Sequence, residues 1–267
     1  MMGFGRLARG IVFGGAMLAA AASAAAQGLP KLVIIFAGST PPTAEMTASG
    51  KFASVDTIDA ASATPTLATL LAYDAILAFT NVPPASPSGL GDVLADAVDA
   101  GRFVTIGTYG MSLPWAITGR IQTAGYNPLV IATNGAVSGS VTAVVPADPI
   151  FAGVSLAAVT YFNNDNFAHA TLAPGATLLA TDGAGINMIA RSASGRVMGM
   201  NFYPAGGDYG GNNAEFYKLV ANVAANSASG TPPAPPQEVP TLSEWALMAI
   251  ALFVAGIAGF SLRRQTR

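Results

Sequence analysis

The chain has 267 residues, a formal net charge of −2 and no cysteine, and 52% of its residues are apolar. The absence of cysteine excludes disulfide bonds and a thiol nucleophile, so the fold must be stabilised by its core alone. Between residues 27 and 240, seven Lys or Arg stand against thirteen Asp or Glu, a net charge of about −6. Because nucleic-acid binding requires clustered basic side chains, this composition argues against a nucleic-acid partner.

The first 26 residues have the three parts of a secretory signal peptide. Arg6 and Arg9 form a positive start, residues 10–22 are apolar, and three alanines precede Gln27. This arrangement predicts cleavage by signal peptidase after Ala26 and export of the remaining chain. An uncleaved anchor helix is the alternative, which the short apolar stretch and the small residues at the cleavage site disfavour.

Three continuous apolar runs in the first half of the body predict strands that are covered on both faces: 32–36 (LVIIF), 75–79 (AILAF) and 103–106 (FVTI). Between the last two runs, Ser86 is the predicted N-cap of a helix, Pro87 its first residue, and Gly101 lies just past its end. A strand, a helix and a second strand at this spacing predict a crossover unit in a parallel sheet.

The second half of the body has the pattern of a hairpin followed by a helix. Apolar segments at 187–190 and 196–202 flank the turn-rich residues 191–195, and residues 213–225 have helical periodicity. The sequence therefore predicts one α/β domain over residues 27–228. Its fold is expected to have three layers, a mostly parallel sheet and an added antiparallel hairpin.

The C-terminal part of the chain has the composition of a spacer and a membrane span. Residues 229–240 form a proline-rich linker, and residues 245–262 are an apolar run that would span about 27 Å as a helix. Arg263, Arg264 and Arg267 follow, and positive residues stay on the cytoplasmic side of a membrane. We expect one transmembrane helix with the body outside; a buried core helix is the alternative, which the lack of a polar face disfavours.

The C-terminal region resembles the IPTL-CTERM sorting domain of Gram-negative bacteria, a signal comprising residues 239–267. The resemblance is carried by a short motif, the apolar run and the basic residues Arg263 and Arg264. The motif consists of Val239, Pro240, Thr241, Leu242, Ser243, Glu244 and Trp245. Val239 replaces the usual Ile, and Ala246 replaces the usual Gly. The resemblance implies an exosortase-type peptidase that cleaves near the motif and delivers the body to the outer surface or the extracellular matrix.

The body resembles the class I glutamine amidotransferase-like superfamily, which implies a flavodoxin-like fold. The segments that carry the resemblance are 73–81, 90–106, 148–154 and 195–204. Active members place a cysteine on the turn after the strand that is here 103–106. This chain has Gly107, Thr108, Tyr109 and Gly110 at that turn. We therefore expect a non-catalytic binding or structural protein of the envelope or matrix.

Two catalytic alternatives remain open from the sequence. One is a hydrolase in which Ser112 or Thr108 attacks with His169, the single histidine, as its base. The other uses paired carboxylates from Asp74, Asp165 and Asp208, whose separation the sequence does not give.

Three other polar or glycine-rich segments are candidate metal or nucleotide sites. Residues 163–166 (NNDN) lack the alternating acids of a calcium loop. The glycine-rich residues 182–185 and 205–211 do not follow a strand and open a helix, as a dinucleotide site requires. We expect no metal and no cofactor.

Any small ligand is expected beyond the carboxyl ends of the parallel strands, at the loops 38–42, 80–84 and 107–112. We name five residues there the candidate rim: Thr80, Asn81, Thr108, Tyr109 and Trp115. Its aromatic side chains suit a polysaccharide or a protein partner, and capping of the core edge is the structural alternative. A polysaccharide-binding matrix component is thus a further interpretation of the function.

Overall fold

The computed structural model describes residues 28–228 except Ala124, and it describes only the backbone of Ala132 and of residues 226–228. The predicted signal peptide (1–26), linker (229–240), sorting signal (239–267) and transmembrane helix (245–262) lie outside the described residues. None of the helices between residues 28 and 228 has the length and apolar character that crossing a bilayer requires.

The described residues form ten β-strands and four α-helices. The strands are β1 (Lys31–Ala37), β2 (Ser54–Asp59), β3 (Ala75–Thr80), β4 (Phe103–Gly107), β5 (Leu129–Gly135), β6 (Thr142–Ala143), β7 (Phe167–Leu172), β8 (Thr177–Thr181), β9 (Asn187–Arg191) and β10 (Val197–Met200). The helices are α1 (Thr43–Ala48), α2 (Leu67–Leu70), α3 (Pro87–Asp99) and α4 (Ala214–Ala228).

Eight strands form one sheet in the order β2-β1-β3-β4-β10-β9-β8-β6, and β5 and β7 form a separate antiparallel pair. The pairings from β2 across to β10 are parallel, and those from β10 to β6 are antiparallel. The order 2-1-3-4 of the first four strands is that of flavodoxin-like sheets. The predicted mixed α/β class with a large, mostly parallel sheet is confirmed.

The predicted hairpin is present as β9 and β10, but it is not an addition at the margin of the sheet. β10 pairs in parallel with β4 and antiparallel with β9, so it lies inside the sheet. All four of its residues are buried, as expected for a strand that is covered on both faces. A local apolar pattern does not specify the neighbours of a strand, which is why the sequence left this position undetermined.

Helices cover both faces of the parallel strands and create two separate cores. Leu32 and Ile34 of β1 pack in one cluster with residues of α1 and α4. Val33 and Ile35, which point to the other face, pack with residues of α2 and α3. Successive side chains of a strand point to opposite faces, so a strand buried on both sides has a continuous apolar run in its sequence.

Helix α3 begins and ends where the sequence predicts. The side chain of Ser86 caps its first turn by accepting a hydrogen bond from the amide of Gly89 at 3.2 Å, and Pro87 is its first residue. Gly101, two residues past the end, has a φ of +94°, a conformation that glycine adopts without strain.

The β5–β7 pair packs against β10 through a close approach that requires glycine. A Cβ atom at Gly199 would lie 2.8 Å from Cγ of Leu129, which is fully buried in the core. A larger residue at position 199 would therefore push the pair away from the sheet. This contact brings β7 alongside the carboxyl end of β10, where the candidate site lies.

Candidate functional site

The candidate rim lies at the carboxyl ends of β3 and β4, as the topology predicts. The amide of Tyr109 donates to the carbonyl of Thr80 at 3.0 Å, and the Thr80 hydroxyl donates to the carbonyl of Trp115 at 2.7 Å. Asn81 follows Thr80 and donates its amide to the carbonyl of Ala37, which extends the ladder between β1 and β3. The structure thus brings Thr80, Tyr109 and Trp115 into one network.

Aromatic rings fill this edge of the sheet. The ring of Tyr109 lies 5.0 Å from that of Trp115, 5.2 Å from that of Tyr203 and 6.0 Å from that of Phe167, measured between centroids. Only 3% of Tyr109 is exposed. Its hydroxyl is buried and has no hydrogen-bond partner among the described residues. The rim is therefore packed as part of the core, with Trp115 half-buried at its outer side.

Thr108, on the turn that follows β4, is held by a buried amide. Its hydroxyl donates to Oδ1 of Asn201 at 2.7 Å, and both residues are completely buried. The same Oδ1 accepts the amide of Ala168 at 3.1 Å, and Nδ2 donates to the carbonyl of Ala168 at 2.7 Å. A neutral amide does not remove a proton from an alcohol, so this arrangement does not activate Thr108.

Ser112 and His169 make no hydrogen bond with each other. The Ser112 hydroxyl is buried and has no hydrogen-bond partner among the described residues. Nε2 of His169 lies 2.9 Å from the carbonyl of Ala136, so that nitrogen carries the proton and donates it. The structure therefore shows a histidine that links β7 to the end of β5, without the nucleophile–base contact that a hydrolase needs.

The three candidate carboxylates lie in different surroundings. Asp74 precedes β3 at the amino edge of the sheet, where it accepts the amide of Lys31 at 2.9 Å and lies 3.7 Å from Arg102. Asp165 and Asp208 are exposed in loops, the second of them after β10. Asp74 is thus separated from Asp208 by the length of the sheet, and the two do not form an acid–base pair.

The asparagines of residues 163–166 are used inside the fold. Asn163 accepts the amide of Val137 at 3.3 Å and donates to its carbonyl, and Asn164 accepts the amide of Asn166 at 2.9 Å. No group of three or more metal-ligating side chains comes together in the part of the chain that the structure describes. These contacts support a polar turn at 163–166.

A cleft that the sequence did not predict lies between α1 and the beginning of α4, with a volume of about 430 Å³. One of its walls contains Asp208, from the glycine-rich segment 205–211. In the sequence, this glycine-rich segment is the only local pattern that points to a ligand at this place. The other lining residues come from the start of α4, close in sequence to Asp208, and from the distant segment 45–51, and they carry no motif.

Residues 239–264 match the IPTL-CTERM motif. A match of this kind implies an exported, surface-sorted protein. No curated protein matches the chain significantly.

One solved structure shares the fold of the body at very low sequence identity, and two others are similar to it at lower scores. A cytoplasmic protein from Salmonella typhimurium matches with a TM-score of 0.52 and 10% identity, covering 72% of this chain and 98% of that one. A protein described as ThuA-like, from Bacteroides uniformis, matches with a TM-score of 0.48 and 10% identity over 73% and 91% of the two chains. A protein described as a GMP synthase subunit, from Thermoplasma acidophilum, matches at 0.46 and 13% over 74% and 95%. At these identities the first match bears on the fold alone.

The packed aromatic edge predicts that stability is lost at high pH. Burial raises the pKa of Tyr109 and of Tyr203 from 10.0 to about 12. Between pH 10 and 12 the tyrosines of the unfolded chain therefore lose protons that the folded chain retains. Their contribution to the free energy of unfolding should be complete below pH 10 and should decrease as the pH rises towards 12. Urea unfolding followed across this range measures the decrease. Tyr109→Phe should make it shallower, and a free energy of unfolding that does not change would contradict the prediction.

Proposed function

We propose that this protein is an exported, surface-sorted α/β module without catalytic activity, which binds or structures material of the bacterial envelope or extracellular matrix. The observation that carries the proposal is the hydrogen bond from Thr108 to Asn201. It commits Thr108, on the turn where the resemblance implies a nucleophile, to a structural contact. The packed aromatic edge, where open α/β sheets usually bind substrates, supports the same conclusion.

The proposed route begins with signal peptidase, which removes residues 1–26. The apolar run 245–262 then holds the chain in the inner membrane with residues 27–228 on the periplasmic side. An exosortase-type peptidase recognises the motif at residues 239–245 and releases the body to the outer surface. The match at residues 239–264 supports this order of events.

The absence of catalysis is tested with the full chain purified in detergent and a panel of ester, amide and glycosidic probes. We expect no turnover above a protein-free blank, and no difference between the wild-type chain and Thr108→Val. Turnover that is lost in Ser112→Ala or His169→Ala would establish the serine hydrolase instead. Turnover lost in Asp165→Asn or Asp208→Asn would establish a carboxylate mechanism.

The sorting route is tested by fractionating the native host and weighing the intact secreted protein by mass spectrometry. We expect a form that begins at Gln27 and ends near the sorting motif. Pro240→Ala should remain in the membrane fraction at higher mass, because the peptidase no longer recognises its substrate. Pro236→Ala, which changes a linker proline outside the motif, is the matched control and should be processed normally. A soluble cytosolic chain with both ends intact would refute the route.

Polysaccharide is the partner that one further observation favours. Tyr209 is 41% exposed, and its ring is held edge-on at 5.3 Å from Tyr203 and 5.1 Å from Phe162. An exposed aromatic ring that is already immobilised loses little entropy when it stacks on a sugar.

Co-sedimentation with insoluble matrix polysaccharide tests this partner. The full chain should sediment with the polysaccharide, and Tyr209→Ala should reduce the bound fraction. Tyr73→Ala, which removes a half-buried ring at the opposite edge of the sheet, is the matched control. Equal sedimentation of the two variants would exclude a role for Tyr209.

A further inference from the structure

The cleft between α1 and α4 collects an unusual share of the protein's charge. The whole chain has only three lysines, and two of them, Lys51 and Lys218, line this cleft. Glu45 and Asp208 line it as well. Charged residues make up only 10% of the chain, so four of them in one concave site are a marked concentration.

Two of these four charges are already compensated within the fold. Oε1 of Glu45 accepts the amide of Gly207 at 2.6 Å. Nζ of Lys218 donates to Oε1 of Glu215 at 2.6 Å and to the carbonyl of Gly153 at 3.0 Å. These two side chains are therefore held in place by the protein itself.

The remaining two charges, those of Lys51 and Asp208, have no hydrogen-bond or ion-pair partner between residues 28 and 228. Among the described residues, neither the ammonium group of Lys51 nor the carboxylate of Asp208 makes a hydrogen bond or an ion pair, and the two do not pair with each other. Because Lys51 and Asp208 line the same cleft without pairing, the cleft offers a ligand one positive and one negative group. A ligand with two matching charges would satisfy both.

The rest of the cleft consists of two alanines, Tyr217 and Ser49, whose hydroxyl is occupied because it donates to the carbonyl of Met46 at 2.6 Å. Ala48 and Ala214 contribute methyl groups, and Tyr217, only 5% exposed, contributes its ring. The Tyr217 hydroxyl is occupied, since it donates to the carbonyl of Ala205 at 2.6 Å. Burial raises the pKa of this phenol, so it stays neutral and adds no charge of its own.

The wall that contains Asp208 is preformed. The amide of Gly206 donates to the carbonyl of Thr40 at 3.0 Å, and a Cβ atom at position 206 would lie 2.8 Å from the carbonyl oxygen of Pro41. The buried amide of Asn212 donates to the carbonyls of Tyr203 and Ala205, both at 3.1 Å. This wall is therefore already ordered before a ligand binds, which reduces the entropy cost of binding.

We propose that this cleft binds a small zwitterion that carries a primary amine and a carboxylate, of the size of an amino acid or a short peptide. The ammonium group of the ligand lies against Asp208 and its carboxylate against Lys51, with its short side chains over Tyr217. A volume of about 430 Å³ is within the range of small-molecule sites. An uncharged ligand of this size would bury Lys51 and Asp208 without partners, which is unfavourable.

Isothermal titration calorimetry of the full chain in detergent with the dipeptide alanylalanine tests the proposal. Two blocked analogues are matched probes: N-acetyl-alanylalanine lacks the amine, and alanylalanine amide lacks the carboxylate. We expect each block to raise Kd by at least about tenfold, as loss of one charge-assisted contact does.

Two variants test which charged group of the protein binds the amine of the ligand and which binds its carboxylate. Asp208→Asn, which retains a residue that tolerates the left-handed backbone at this position, should abolish the preference for a free amine. Lys51→Met should abolish the preference for a free carboxylate. The controls Asp165→Asn and Lys31→Met change exposed charges outside the cleft and should bind as the wild-type chain does.

Three results would overturn the proposal: no binding of the dipeptide at about 10 mM, far above a useful Kd; equal binding of the blocked analogues; or selectivity that neither cleft variant changes. The inference does not depend on sorting or on the absence of catalysis. A hydrolase or a mis-sorted chain would fail the earlier tests and leave this one unaffected.

Discussion

One buried side-chain amide, that of Asn201, joins three strand ends at the carboxyl edge of the sheet. It exchanges hydrogen bonds with both backbone groups of Ala168, as a neighbouring strand would, and it accepts the hydroxyl proton of Thr108. The ends of β4, β7 and β10 thus meet at one residue. Because the site excludes water, removal of this amide would leave several polar groups unpaired, at a cost of about 1–3 kcal/mol for each.

At the carboxyl edge of this flavodoxin-like sheet, Thr108 is therefore held in a structural contact. The aromatic rings around Tyr109 occupy the space where such sheets usually admit a ligand. In the proposed function, recognition uses the exposed ring of Tyr209, at the outer side of this edge, and the charged cleft beside α4.

The sequence predicted the strands and the helix whose signals lie within one short segment of the chain. The apolar runs of β1, β3 and β4 are continuous because both faces of these strands are buried, and α3 carries its own start signal at Ser86 and Pro87. Strand β2 was not predicted, since its half-exposed sequence at the edge of the sheet lacks such a run. The β5–β7 pair was also missed, because its packing depends on Gly199, in a strand that is distant in sequence.

The sequence by itself determined the parallel core, the absence of a cysteine nucleophile and the sorting motif at residues 239–264, all of which are contiguous patterns or compositions. Tertiary structure alone decided the partner of Thr108, which lies 93 positions away at Asn201. It also decided that Lys51 and Asp208 share a cleft. Contacts between distant residues depend on how the strands and helices pack, and no local periodicity records that packing.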